Sequence, residues 1–468
     1  MNNRASERRV VVTGMSAISA LGVTLEDLAQ GLREGRSGTR PTAENEYYPT
    51  TRVAPVDSFT GALQDFGDLD DTKKKMIRKG IKLMAREIQL GVASAQRALE
   101  HAKFNGSYPS KRVGVAFASD YIVTTPQELT DAMAACCTEN EAGERVFDPS
   151  LWREKGMPKM TPLWQLKYLS NMSTSHITIY NEFFGPAYDM TLRDASFSAA
   201  LGEALEVVKS GRADAMLVGS TGSRLQQFRL LEAIKNNEVA AEIVKYGLEP
   251  ATDAETRPFD ARRSGYVPGE GAGALVIEAE ETARARGATI YAEVCGGACC
   301  GVFKHAGDVD PSESAMPTEA KYDLTFTKES AREAIRNAVA RLLGRAGVMP
   351  RAIGHVNANA RGDVTLDASE ALALRDVFGD ALGSIPITSL KGAIGNPGAG
   401  AGAIETVASL LALQDGKLFP TLHYGEPDPN CPVTPTLEYG APAGDSFVKI
   451  CANNVGQASA ALFKRWNG

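Results

Sequence analysis

The chain has 468 residues, 43% of them hydrophobic and 23% charged, which is an ordinary globular composition long enough for two or three domains or two packed halves. A formal net charge of −7 gives no basic footprint for nucleic acid. No apolar run reaches the roughly 20 residues a membrane span requires, and the polar stretch Met1–Arg9 holds no signal-peptide apolar segment, so the reading is a cytoplasmic protein.

In chain order, Arg9–Gly14 (RVVVTG) is a β-branched run closed by glycine and predicts a buried strand. Lys73–Ala102 is rich in Ala, Leu, Lys and Arg and predicts one long helix. Its basic start, Lys73, Lys74, Lys75, Arg78 and Lys79, reads either as a solvated face or as a landing site for an acidic partner. Arg112–Ala118 is a second apolar strand, and Tyr121–Asn181 is less regular and reads as loops capping a cavity. The helix Ala195–Lys209 leads through Gly211 into the strand Ala215–Gly219. The order then recurs: strand Ala288–Val294, helix Ser330–Leu343, strand Ile353–Ala358, helix Ala401–Leu413 and an extended segment from Lys417 to Pro420. Strand–helix–strand alternation argues for an α/β class, here as two copies of one unit divided near Glu278–Gly287. The seven cysteines (Cys136, Cys137, Cys295, Cys299, Cys300, Cys431, Cys451) are odd in number and lack paired CxxC spacing, so free thiols are expected. The five histidines, His101, His176, His305, His355 and His423, show no metal-ligand spacing.

Four ordered segments carry a resemblance. They are Arg9–Gly22 (RVVVTGMSAISALG), Arg257–Glu278 (RPFDARRSGYVPGEGAGALVIE), Val356–Ala371 (VNANARGDVTLDASEA) and Ser389–Glu405 (SLKGAIGNPGAGAGAIE). The second resembles the signature RPFDxxRxGFVxGEGAGxLVLE of β-ketoacyl-acyl carrier protein synthases of the KAS I/II type, in the thiolase superfamily. The third and fourth are similar to that family's VNAHGTSTxxGDxxEA and TKxxxGHxxGAAGxxE. The resemblance covers essentially the whole chain. It implies a duplicated α/β unit in five layers, α-β-α-β-α, with an N-terminal half over 1–280 and a C-terminal half over 281–468, assembled as a dimer. It also implies an acyl carrier protein as partner and no bound cofactor, the carrier's 4′-phosphopantetheine serving as the substrate arm.

Carried over residue by residue, the resemblance places the family's cysteine nucleophile at Asp194, with no cysteine within fifty residues on either side. A helix N-terminus that activates a thiol stabilises a carboxylate and makes it a poorer nucleophile. A plain reading of Asp194 is a helix N-cap, with about 1 kcal/mol of stabilisation. The two family histidines fall on Asn359 and Asn396, which cannot shuttle protons near neutral pH but can donate hydrogen bonds. Lys391, Glu370 and Asp367 match the family's buried polar positions. The glycine-rich turn of the family, NxFGFGGxN, is replaced by CANNVGQASAALF (Cys451–Phe463), which keeps the single glycine Gly456 and has no phenylalanine in the turn. His355, next to Val356 in the predicted strand, reads as a core or interface histidine.

Three functions remain open at this point. One is a condensation-inactive subunit that resembles a chain-length factor and forms a heterodimer with an active homologous ketosynthase. The second is an enzyme of altered chemistry, a malonyl-carrier decarboxylase or an acyltransferase using Asp194, Asn359 and Asn396. The third is a module that only holds acyl chains.

Overall fold

The computed structural model describes residues 8–42, 52–104, 106, 108–240, 254–302 and 328–468. Ten strands form its main sheet: β1 (Val10–Ile18), β2 (Val113–Ala118), β3 (Ala187–Met190), β4 (Ala215–Ser223), β5 (Glu270–Ala279), β6 (Ala292–Gly301), β7 (His355–Asn357), β8 (Ile387–Thr388), β9 (Ser446–Ala452) and β10 (Gln457–Arg465). Their spatial order is β8-β7-β9-β10-β6-β1-β5-β4-β2-β3. Outward from the centre, β1-β5-β4-β2-β3 and β6-β10-β9-β7-β8 run through the same series. In each, the first two steps are antiparallel and the last two parallel. The duplicated α/β unit is therefore written in the topology. Among the described residues, the two five-stranded units pair strand to strand at Val11–Glu293 and Val12–Ala292.

Helices complete the layers. Arg86–His101 (α1) and Met172–Asn181 cover the outer face of the first unit. Lys328–Ala346 and Val364–Phe378 (α3) cover the outer face of the second. Between the sheets lie Ser196–Lys209 (α2) and Ala401–Asp415 (α4), which contact strands of both. Burial of α4 on nearly every side, Glu405 included, follows from its sequence AGAIETVASLLALQD, which has no polar stripe.

Three expectations need correction. The helix expected over Lys73–Ala102 is two, Asp71–Gly80 and Arg86–His101, separated by a 3-10 turn and an extended step at Met84–Ala85. A side chain at Gly80 would collide with the Tyr180 hydroxyl, so tertiary packing, not propensity, sets the break. The strand expected at Ala288–Val294 runs instead over Ala292–Gly301, through the segment GGACCG. Gly297 sits there because a Cβ would meet the backbone of Gly202 on α2. Tyr121–Asn181 holds more regular structure than expected, with a helix at Pro126–Ala135, a small hairpin at Cys137–Phe147 and several short turns. A groove of about 830 Å³ lies away from this segment, between β1, Val23–Glu26, the C-terminal end of α1 and the loop Arg286–Tyr291.

Candidate functional site

The parallel strands of both units end on one side, and the connections that leave them meet at the N-terminus of α2. There the chain leaves β3 and forms a 3-10 turn, Arg193–Ala195, before α2 begins. Arg193 has a φ of 52°, a conformation that costs a non-glycine residue about 1–3 kcal/mol and persists only when its surroundings hold it. Asp194 does not cap the helix, contrary to the plain reading of the sequence. The first turn is closed by Ser196, whose Oγ donates to Arg193 O at 2.6 Å and accepts from Leu192 N at 2.8 Å.

Asp194 faces inward to two arginines that sequence reading did not single out. Arg224, at the end of β4, donates from Nη2 to Asp194 Oδ2 at 2.5 Å. Arg361, in the loop after β7, brings Nη1 to 3.6 Å from the same oxygen. Asp194, Arg224 and Arg361 are only 2%, 4% and 1% exposed, so solvent does not screen these pairs. Burial alone would push the Asp194 carboxyl up. The guanidiniums of Arg224 and then Arg361 outweigh it and hold the carboxyl far below the usual carboxylate range. The ring of Tyr266 lies against both guanidiniums, 4.7 Å from Arg224 and 5.1 Å from Arg361. Its hydroxyl donates to Glu238 Oε2 at 2.8 Å, and Glu238 lies 3.7 Å from Arg224 and 4.0 Å from Arg361. Asp363 takes a further Arg361 contact at 3.2 Å.

The structure brings the other sequence-derived positions to the same place. Asn359 Oδ1 accepts from Ala452 N at 3.1 Å, and Asn396 Oδ1 accepts from Gly398 N at 3.1 Å. Both donors are backbone amides, which fixes the orientation of each side-chain amide. The Nδ2 groups of both asparagines are left as uncommitted buried donors, and Asp194 Oδ1 as an uncommitted acceptor. Asn396 flanks the Asp194 carboxylate without reaching hydrogen-bond geometry. Two acids on α3 shape the loop that carries Asn359 and Arg361. Glu370 accepts from Asn359 N at 2.7 Å and Ala360 N at 2.8 Å, and Asp367 accepts from Arg361 N and Gly362 N at 3.0 Å each. Lys391 donates to Asn359 O at 2.7 Å and to Glu405 Oε1 at 2.8 Å, while Lys449 on β9 donates to Glu405 Oε2 at 2.5 Å.

Burial pushes the Glu370 carboxyl up to about 7. Its folded-state pKa is thus above the unfolded one, so its contribution to stability is full below about pH 4.5 and is lost as pH rises through about 7. Glu370→Gln is expected to flatten this part of the profile. Urea denaturation at pH 5 and pH 7.5 should show the wild type losing about 1–3 kcal/mol more than the variant over that interval.

The thiol beside Ser198 of α2 is not a substitute nucleophile. Cys451 lies 3.4 Å from Ser198 Oγ, is buried, and has its thiol pushed up by that burial. All seven cysteines are free. His355 is a core residue, with Nδ1 2.7 Å from Ala443 O and Nε2 3.1 Å from Ser409 Oγ, and burial depresses its pKa to about 4. His305 lies outside the described residues.

Comparison with known proteins agrees with this geometry. The description "Beta-ketoacyl synthase, N-terminal domain" matches residues 7–283, and "Beta-ketoacyl synthase, C-terminal domain" matches residues 312–425. The chain is 29% identical over 430 residues to a 3-oxoacyl-[acyl-carrier-protein] synthase 2 of Synechocystis sp., covering 91% of this chain and 90% of the relative. It is 28% identical over 440 residues to the mitochondrial 3-oxoacyl-[acyl-carrier-protein] synthase of Arabidopsis thaliana, covering 91% and 86%. Among solved structures, a β-ketoacyl synthase from Burkholderia phymatum STM815 superposes with a TM-score of 0.76 at 25% identity, over 98% of this chain and all of that one. The ishigamide ketosynthase/chain length factor superposes equally well, at 0.76 with 24% identity over 99% of this chain and all of that one, which bears on the fold. With both domain descriptions matched and the second, third and fourth motifs bringing Tyr266, Asn359 and Asn396 to one buried cluster, the chain belongs to the β-ketoacyl synthase family.

Proposed function

We propose that the protein is a ketosynthase-like subunit of fatty acid or polyketide biosynthesis that does not itself condense. In this reading it works as a chain-length-factor-like partner of an active homologous ketosynthase, served by an acyl carrier protein. One observation carries the reading: the carboxylate at the nucleophile position is bound by Arg224 at 2.5 Å, in a pocket already occupied by the protein's own charges. A carboxylate held ionised so far below neutrality is a poor base, and one locked in an ion pair is a poor nucleophile. A subunit that keeps the fold while its nucleophile position is sealed in this way is suited to support a partner's reaction. The reading predicts that co-expression with a ketosynthase bearing Cys and two His yields a stable heterodimer. Purification as a homodimer with condensing activity would contradict it.

A second reading has one specific observation in its favour. The uncommitted Nδ2 donors of Asn359 and Asn396 could stabilise an enolate oxygen, as decarboxylation of a malonyl carrier requires. No role for Asp194 follows in that case, since its carboxylate is neutralised by arginine.

The carrier protein has a candidate landing surface. On the helix Asp71–Gly80, Lys75, Arg78 and Lys79 are exposed, Lys73 and Lys74 partly so, and among the described residues none of the five is in an ion pair. Reversing Arg78 and Lys79 to Glu together is expected to slow association with an acidic carrier protein on the order of tenfold at low salt. The difference should shrink at high salt, and stopped-flow measurement across ionic strength reads both effects.

A further inference from the structure

The turn between β9 and β10 is tied at three points, two of them to the surroundings of Asp194. Asn453 donates from Nδ2 to Leu192 O at 3.0 Å, two residues ahead of Asp194. Its Oδ1 accepts from Val455 N at 3.1 Å and Gln457 N at 3.2 Å, which stiffens the turn from within. Gly456, at a φ of +74° that favours glycine, accepts from Val302 N at 2.8 Å and ties the far side to the end of β6. The third tie is Asn454 Nδ2 to Glu238 Oε1 at 2.6 Å, a hydrogen bond to a charged acceptor. Glu238 is a fixed anchor. Its other oxygen takes the Tyr266 hydroxyl, its amide donates to Ala233 O at 2.9 Å, and its carbonyl accepts from Tyr266 N at 2.9 Å.

We propose that Asn454 and Glu238 form a latch that holds this turn shut over Asp194 and bars a carrier-borne acyl arm from the cluster. The proposal rests on the inactive-subunit reading and adds to it: the site is closed as well as chemically disarmed. Glu238 joins the two properties, because the carboxylate that holds Asn454 also faces both arginines that bind Asp194. Asp194, Asn359, Asn396 and Arg361 are at most 2% exposed, and the strand leading into the turn donates from Ala452 N to Asn359 Oδ1.

Alkylation tests the latch. Asp194→Cys places a thiol beside two guanidiniums, which favour the reactive thiolate, so slow labelling reports closed access and not a sluggish thiol. Iodoacetamide labelling at position 194, followed by peptide mass spectrometry, is expected to be at least tenfold faster in Asp194→Cys/Asn454→Ala than in Asp194→Cys. Equal rates overturn the latch. Should the position-194 variants fold poorly, Asn454→Ala alone decides the matter by hydrogen exchange. The peptide spanning 453–457 is expected to exchange at least tenfold faster than in the wild type, and unchanged exchange overturns the proposal. Fast labelling of the single variant while carrier proteins stay unmodified would remove the latch and leave the inactive-subunit reading intact. Acyl transfer by the wild type would remove that reading itself.

Discussion

Asp194→Ala is expected to cost about 3–5 kcal/mol of folding stability, the range for removing one partner of a buried ion pair. A helix cap at the same position would cost only about 1 kcal/mol, so the magnitude separates the two roles. The large value follows from what remains: Arg224 and Arg361, 4% and 1% exposed, would keep Glu238 and Asp363, but Arg224 would lose its closest carboxylate and Arg361 one of its partners. Removing both members of the closest pair, Asp194→Ala with Arg224→Met, should recover much of the loss, because the desolvated cation goes with its partner. The sign of the pH dependence follows from the depressed carboxyl. Its stabilising contribution is present above the ordinary aspartate pKa of 3.8 and is lost only as pH falls toward the much lower folded value. Urea denaturation of the two variants and the wild type at pH 7 and at about pH 3, on either side of the ordinary aspartate pKa, measures all of this.

Glu405→Gln is the second large effect. Two ammonium groups share this one carboxylate, Lys391 at 2.8 Å and Lys449 at 2.5 Å, and all three residues are fully buried. Loss of the charge leaves two unpaired cations in the central layer, which should cost at least about 3–5 kcal/mol and can prevent folding at 37 °C. Lys449→Met is the informative contrast. It leaves a one-to-one pair of Lys391 and Glu405, so a cost of about 1 kcal/mol or less is expected. Soluble yield and melting temperature of the two variants report the difference. Similar losses in both would mean that the shared carboxylate is not the organising charge of this layer.

Much of the fold was legible because its signals are local. The β-branched run of β1, the apolar runs of β2 and β4 and the alanine-rich α2 and α4 all sit where periodicity and composition place them. The hairpin Ser446–Arg465 did not stand out, because alanine, serine and cysteine in those strands pack against a neighbouring layer and bring little β-propensity of their own. The break after Gly80 was invisible for a similar reason, since it depends on Tyr180, far along the chain. At the site, resemblance identified Asp194, Asn359, Asn396, Lys391 and Glu370 as positions, and the structure brings them together. The residues that decide their chemistry were missed. Arg361 stands where the family motif has threonine and Tyr266 where it has phenylalanine, and both departures were readable. What could not be read was that Arg224 and Arg361 converge on the Asp194 carboxylate with Glu238 and Tyr266 against both guanidiniums, because no local pattern records a charge network assembled from separate loops. Lys449 was a clearer signal, a charge inside the apolar strand Ser446–Ala452 that is stable there only with a buried partner.

The central claim is that the cluster around Asp194 performs neither acyl transfer nor decarboxylation. Incubation of the purified protein with malonyl-carrier and acyl-carrier proteins, followed by intact-protein mass spectrometry of all species, tests it most directly. The account predicts that both carriers and the protein keep their masses. Loss of carbon dioxide from the malonyl carrier, or an acyl adduct on the protein, would contradict it.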